Sequence, residues 1–264
     1  MKRTLSMVLL VLALVACVSE DGPPAAVPSP SGSAEVDQEV VRQHASQFDD
    51  DLAERPAGSQ EEFAAATYIL GTLQQAGYLV RLESIPVEDL EKSTNVIALP
   101  PSGDDPKYMV VVGYDTGSQA GKTGDAIGVF LELARALRVA EPGHDVAFVA
   151  VGAEQARVKG GAIGSRRLAQ FLLDEDLDPT VIRLLEISSD SRTGAFKNYG
   201  DQLDPSLFDT WCRLIGPEPC ARTLEERTID PDPIGEADFR QVLVVGHTED
   251  VSMVLLEYLT EHGR

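Results

Sequence analysis

Histidine is scarce in this chain, which has only His44, His144, His247 and His262 among its 264 residues. Any centre that needs several imidazoles has to be built from these four. Basic residues are also few: Lys plus Arg number 22 against 43 for Asp plus Glu, a formal net charge of −21. A surface that acidic repels phosphate backbones and excludes a nucleic-acid partner. It suits cationic ligands, including peptides with a free α-amino group, although most of it reads as a solvated, solubilising face. The apolar stretch Met7 to Ala16 falls well short of the ~20 residues that a helix needs to span a bilayer. With 43% apolar and 25% charged residues, the composition is that of a globular domain rather than a disordered or collagenous chain. The length fits one large α/β domain or two small ones.

The N-terminus reads as a targeting segment. Lys2 and Arg3 precede the apolar stretch in the manner of a secretory signal. The stretch ends Leu14-Val15-Ala16-Cys17, which resembles the bacterial lipobox. That resemblance implies a signal peptide over residues 1–16 and a lipidated Cys17, and it places the protein in the bacterial cell envelope, facing the periplasm or the exterior, with the membrane as a partner. An ordinary signal peptide with a chance cysteine is the alternative. DGPPAAVPSPSGS, residues 21–33, has almost no apolar bulk and reads as part of a flexible linker over 17–34. Export leaves Cys212 and Cys220 as an even pair in an oxidising compartment, on either side of Gly216, Pro217 and Pro219. A disulfide is expected, with free thiols as the alternative; two thiols without neighbouring histidines are a poor zinc set.

Residues 35–264 read as one domain. Ser59 with Glu62 has capping-box spacing, Phe63, Ala66, Leu70 and Leu73 recur on one helical face, and Gly77 suits the C-terminal stop. YLVRLESIPV and NVIALP follow as an antiparallel pair. YMVVVGYD, VAFVAVGAE, VIRLLEIS and VLVVGH are apolar runs of the kind buried on both faces of a sheet. Between and after them, Ile127, Phe130, Leu131, Ala134 and Leu137, then GSRRLAQFLL, then Val251, Val254, Leu255, Tyr258 and Leu259 form amphipathic helices. The alternation predicts an α/β fold: a mostly parallel mixed sheet in three layers, with helices on both faces. Ligands in such folds sit beyond the carboxyl ends of the strands. Those ends carry Asp115, Glu154, Glu186 with Asp190, and His247. His44 and His262 read as surface residues, and His144 precedes a strand at the opposite end.

RPAGSQEEFAAATYILGTLQQAGY, STNVIALP, VVVGYDTGS, GVFLELARAL, FVAVGAEQ with GSRRLA, and LVVGHTED, in this order and spacing, resemble the co-catalytic zinc aminopeptidase family, whose relatives include bacterial leucyl aminopeptidases and glutaminyl cyclases. The resemblance covers residues 55 to the C-terminus and implies the three-layer aminopeptidase-like fold. It also implies a metal site: a His from His-x-Asp, a bridging Asp, the second Glu of a Glu-Glu pair, a later Asp and a late His, with the first Glu as general base. Zinc there lowers the pKa of bound water, and the carboxylate takes its proton. This chain departs from that set. It has Gly113-Tyr114-Asp115 for His-x-Asp, Gly124 with Asp125 beside it for the bridging Asp, and Glu154-Gln155 for the pair. The later Asp falls near Ser188, between Glu186 and Asp190, and the late His falls near Glu236. The resemblance thus retains Asp115 and Glu154 as catalytic positions, while Asp125, Glu186 and Asp190 are the remaining candidates for metal ligation. Two functions follow as expectations. One is a non-catalytic envelope lipoprotein that needs no cofactor and binds peptides or another envelope protein through the old cleft. The alternative is a metal-dependent exopeptidase whose site is rebuilt from carboxylates around zinc or another divalent ion.

Overall fold

The computed structural model describes residues 32–87, 91–116, 123–155, 161–189, 195–198, 205–216 and 232–264. Cys17, Asp190, Cys220 and nearly all of the segment 1–34 lie outside them. In chain order the elements are α1 (Gln38–Ser46) with a π-helical continuation Gln47–Asp51, α2 (Gln60–Gln75), β1 (Leu79–Pro86), β2 (Lys92–Leu99), β3 (Tyr108–Gly113), α3 (Gly124–Ala140) and β4 (Val146–Val151). Then come α4 (Ile163–Asp174), β5 (Thr180–Ser188), β6 (Ala195–Asn198), α5 (Pro205–Ile215), the single turn α6 (Pro233–Glu236), β7 (Gln241–His247) and α7 (Thr248–His262).

The strands form one sheet in the order β1-β2-β4-β3-β5-β7-β6. Its centre, β4-β3-β5-β7, is parallel, with Gly113 opposite Val151 and Arg183 opposite both Val111 and Leu243. The antiparallel pair β1/β2 and the strand β6 flank it. Side chains alternate across each strand with period two. Val110, Val112, Phe148, Ile182 and Val244 therefore join a core with α1, α2, α3, α5 and α7. Met109, Val111, Val149 and Val181 join a second core under α4 and α6. This is the three-layer arrangement that the apolar runs predict, and the parallel centre brings the carboxyl ends of β3, β4, β5 and β7 to one edge.

Local chemistry sets the helix ends. The Ser59 side chain accepts from the Glu62 amide at 3.0 Å, an N-cap contact of the kind that contributes about 1 kcal/mol. The reciprocal half of the expected capping box is missing, because the Glu62 carboxylate accepts from the Gly58 amide at 2.6 Å, from the Ala153 amide at 3.2 Å and from the Ser93 hydroxyl. At the other end, Gly77 at φ +90° allows a Schellman closure, with its amide donating to Gln74 O and the Tyr78 amide to Leu73 O. The buried face of α2 is Glu62, Ala65, Ala66, Ile69 and Leu73. Phe63, expected inside, is 61% exposed. Ala66 and Leu73 are buried as expected, while Glu62 and Ile69 take the places expected for Phe63 and Leu70.

His44 is half-buried and hydrogen-bonded to Tyr68 at 2.8 Å, and burial lowers its pKa, so the surface reading from sequence is corrected. The residues just ahead of α1 are seated by Arg135, whose Nη1 donates to Ser33 O and Nη2 to Glu35 O, each at 2.8 Å, while the same guanidinium pairs with buried Glu132. No described helix is long and apolar enough to cross a membrane.

Candidate functional site at the strand carboxyl ends

Asp115 lies just past β3 and is 1% exposed. Its two oxygens accept from the backbone amides of Glu154 and Gln155, both at 2.9 Å, so it ties the end of β3 to the turn after β4. Burial pushes its carboxyl up to about 7; the two amide bonds oppose that rise, and the nearby Glu62 and Glu154 add to it.

Glu154 follows β4 and turns inward. Its oxygens accept from the Ser165 amide at 3.0 Å, from the Ser165 hydroxyl and from Arg183 Nη2 at 2.9 Å. Arg183 also lies 3.5 Å from Asp232. Asp232 in turn accepts from the Gly235 amide at 3.2 Å and from the Gln241 side chain. The turn is further fixed by Asn95, which accepts from the Gly152 amide at 3.2 Å and donates to Gly164 O at 3.1 Å.

Asp125, in the first turn of α3, reaches across to the loop after β5. It accepts from the Ser189 amide at 2.7 Å and from the Ser189 hydroxyl at 2.9 Å. His247 ends β7 and is the N-cap residue of α7, without a side-chain cap bond. Glu186 lies in β5 where its register with β7 shifts; its side chain and all of Asp190 lie outside the described residues.

The structure thus brings Asp115 and Glu154 together and sends Asp125 to a separate contact. Sequence reasoning missed Arg183, Ser165, Asp232 and Glu62. Arg183 carried a signal: it is the one charge inside VIRLL, a segment otherwise suited to burial on both faces. Asp232 carried none, since its partner Gln241 becomes a neighbour only on folding.

The two glycines that the sequence resemblance sets at expected metal-ligand positions differ in the room around them. A Cβ on Gly113 would lie 3.2 Å from Glu154 Cγ, so a side chain there would need Glu154 to give by a few tenths of an ångström. A Cβ on Gly124 would lie 2.4 Å from Ala45 O and 2.7 Å from Asp49, which accepts from the Gly124 amide at 3.0 Å. Among the described residues, no three His, Cys, Asp or Glu side chains gather where they could hold a metal ion. The described donors do not fit a co-catalytic zinc pair. It follows that Gly124→Asp, which would install the carboxylate that the sequence resemblance expects there, should lower stability by at least about 1–3 kcal/mol through overpacking and repulsion from Asp49. Urea unfolding measures this, and an unchanged midpoint would show that the backbone there has room to yield.

No protein-family model matches the sequence, and no functionally curated protein does. Solved structures are similar across nearly their whole length. A leucine aminopeptidase precursor from Bacteroides thetaiotaomicron is 16% identical, with a TM-score of 0.67 over 89% of this chain and 99% of that one. A Zn-dependent exopeptidase from Parabacteroides distasonis is 13% identical, with a TM-score of 0.68 over 90% and 100%. The glutaminyl cyclase of Tannerella forsythia is 12% identical, with a TM-score of 0.68 over 86% and 99%. The sheet order, the three layers and these superpositions together give the chain the fold of the zinc-dependent exopeptidases and glutaminyl cyclases.

Proposed function

We propose that this protein is an exported lipoprotein, anchored through Cys17, that uses the aminopeptidase-like fold without catalysis. It would act as a binding or structural module of the envelope, for peptides or for another envelope protein. The observation that carries this reading is the commitment of Glu154. A general base contributes roughly 10²–10⁴-fold, and only where its carboxylate faces an activated water. Here both of its oxygens already accept from Arg183 and Ser165. The tight packing at Gly124, which the resemblance sets in place of the bridging Asp, points the same way. The acidic surface favours partners that present positive charge, such as peptide α-amino groups.

The deciding experiment is elemental analysis of protein purified without chelator, paired with leucyl-anilide hydrolysis and glutaminyl-peptide cyclisation assays over added Zn²⁺, Mn²⁺ and Co²⁺. The expected result is sub-stoichiometric metal and no turnover. Near-stoichiometric metal with activity abolished by Glu154→Gln would instead support the exopeptidase with a rebuilt carboxylate site. For the anchor, Cys17→Ser should move the protein out of the detergent phase or leave unprocessed precursor; unchanged partitioning would remove it. Export also favours an oxidised Cys212–Cys220 pair, and two alkylated thiols in the unreduced protein would contradict that pairing.

A further inference from the structure

We propose that Arg183 is a resident counter-ion: a guanidinium supplied by the central strand β5 that balances two buried carboxylates, Glu154 past the carboxyl end of β4 and Asp232 beside the start of β7, and keeps the site assembled without a metal. The inference rests on the non-catalytic reading and specifies what replaces the ion's charge. Ile182 and Leu184 face the larger core, so alternation turns Arg183 to the other face, beneath α4, where its side chain is 7% exposed. From there one side chain meets three separate pieces of chain. Nη2 donates to Glu154 after β4 at 2.9 Å and lies 3.4 Å from the Ser165 hydroxyl in the first turn of α4, and Nη1 lies 3.5 Å from Asp232, which caps α6.

Glu154 and Asp232 are themselves nearly buried, at 11% and 10% side-chain exposure. Two carboxylates at that depth require a cation or protonation, because burying an isolated charge is strongly unfavourable. Among the described residues no group accepts a full hydrogen bond from Nη1, so its contribution toward Asp232 is chiefly charge. A guanidinium suits this position because its planar fork spreads donors over separate nitrogens that reach two sides at once, whereas an ammonium gathers its donors on one nitrogen. The second clasp at this edge, Asp125 on Ser189, joins α3 to the β5 loop by direct hydrogen bonds. The strand ends are therefore cross-tied by protein groups.

The test is a double-mutant cycle on the full chain, following denaturant unfolding of wild type, Arg183→Met, Glu154→Gln and the double variant, each with EDTA and with added Zn²⁺. Arg183→Met should raise the unfolding constant at least ~100-fold by leaving two buried carboxylates unbalanced. Adding Glu154→Gln to it should recover at least ~10-fold. Additive single effects would overturn the proposal. Should Arg183→Met fail to fold, Arg183→Lys decides: it should fall between wild type and total loss, and wild-type stability in that variant would equally overturn the proposal. A midpoint that rises with Zn²⁺ in wild type would defeat the non-catalytic reading while leaving the Arg183–Glu154 coupling intact, so the two failures read out separately.

Discussion

Arg55→Ala should lower the stability of the domain by about 3–5 kcal/mol, measured by urea unfolding at neutral pH. Arg55 is completely buried, and among the described residues its guanidinium is held mainly by hydrogen bonds, with Asp49 and Asp115 near enough to favour its charge. Its Nε donates to Tyr114 O at 2.7 Å, its Nη1 to Phe48 O and Leu52 O, and its Nη2 to the Thr123 hydroxyl at 2.7 Å, while its charge sits 5.1 Å from the Phe48 ring centroid. Its own backbone amide donates to the Thr116 hydroxyl at 2.6 Å. One residue thus holds the π-helical turn, the exit of β3 and the entry to α3. Truncation would leave several buried carbonyls without donors, each costing ~1–3 kcal/mol before any collapse. Arg55→Lys should rescue little, since one ammonium cannot reach that spread of acceptors. A loss below about 1 kcal/mol for Arg55→Ala would mean that water or the backbone readily replaces these contacts.

The second large effect is on the pH dependence of stability, where two buried groups act with opposite sign. Asp115 has its pKa pushed from the ordinary 3.8 to about 7, chiefly by burial. Across that interval the folded state keeps a proton that the unfolded chain has released. The Asp115 contribution is therefore full below pH 4 and fades as pH rises toward 7. His144 is the reverse case, with burial and then Arg138 lowering it from 6.5 to about 4. The Val146 amide donates to His144 Nδ1 at 3.2 Å, so Nε2 carries the hydrogen and donates to the Tyr78 hydroxyl at 3.0 Å, which in turn donates to Ala134 O. An imidazolium would have no acceptor at Nδ1. The His144 contribution is full above pH 6.5 and is lost as pH falls toward 4. Each can reach on the order of 3 kcal/mol, since a shift of one pKa unit corresponds to ~1.4 kcal/mol.

Between pH 4 and 6.5 the wild type hides the two slopes in one another, and variants separate them. The stability of wild type minus that of Asp115→Asn should fall with pH over this range. Wild type minus His144→Gln should rise. Flat difference curves would show that these groups titrate alike in the folded and unfolded chain.

Much of the fold was legible in the sequence because its central strands are buried on both faces. VVVGYD, VAFVAV and VLVVGH have no polar alternation to confuse them, and the helices beside them keep a clear apolar stripe. β6, α5 and α6 were not legible. β6 is a four-residue edge strand, and α6 is a single turn capped by Asp232, too short for a period to develop. At the site, Asp115 and Glu154 were found through their place at strand ends. Their bonding was not, because it depends on groups such as Ser165 and Arg183 that lie many residues away. Asp125 shows the same limit: its place beside Gly124 made it a candidate metal ligand, and its carboxylate instead spans the gap to Ser189.

The grip of Arg135 on Ser33 and Glu35 has a mechanical meaning if Cys17 is the anchor. Fourteen residues lie between Cys17 and Gly32, a leash of at most ~50 Å when taut. Arg135 lies roughly 16 Å down α3 from Gly124, at 1.5 Å per residue, so tension would enter at the flank of the domain and not at its reading edge. Like a boat moored amidships, the protein would keep the strand ends free to swing toward whatever passes through the envelope.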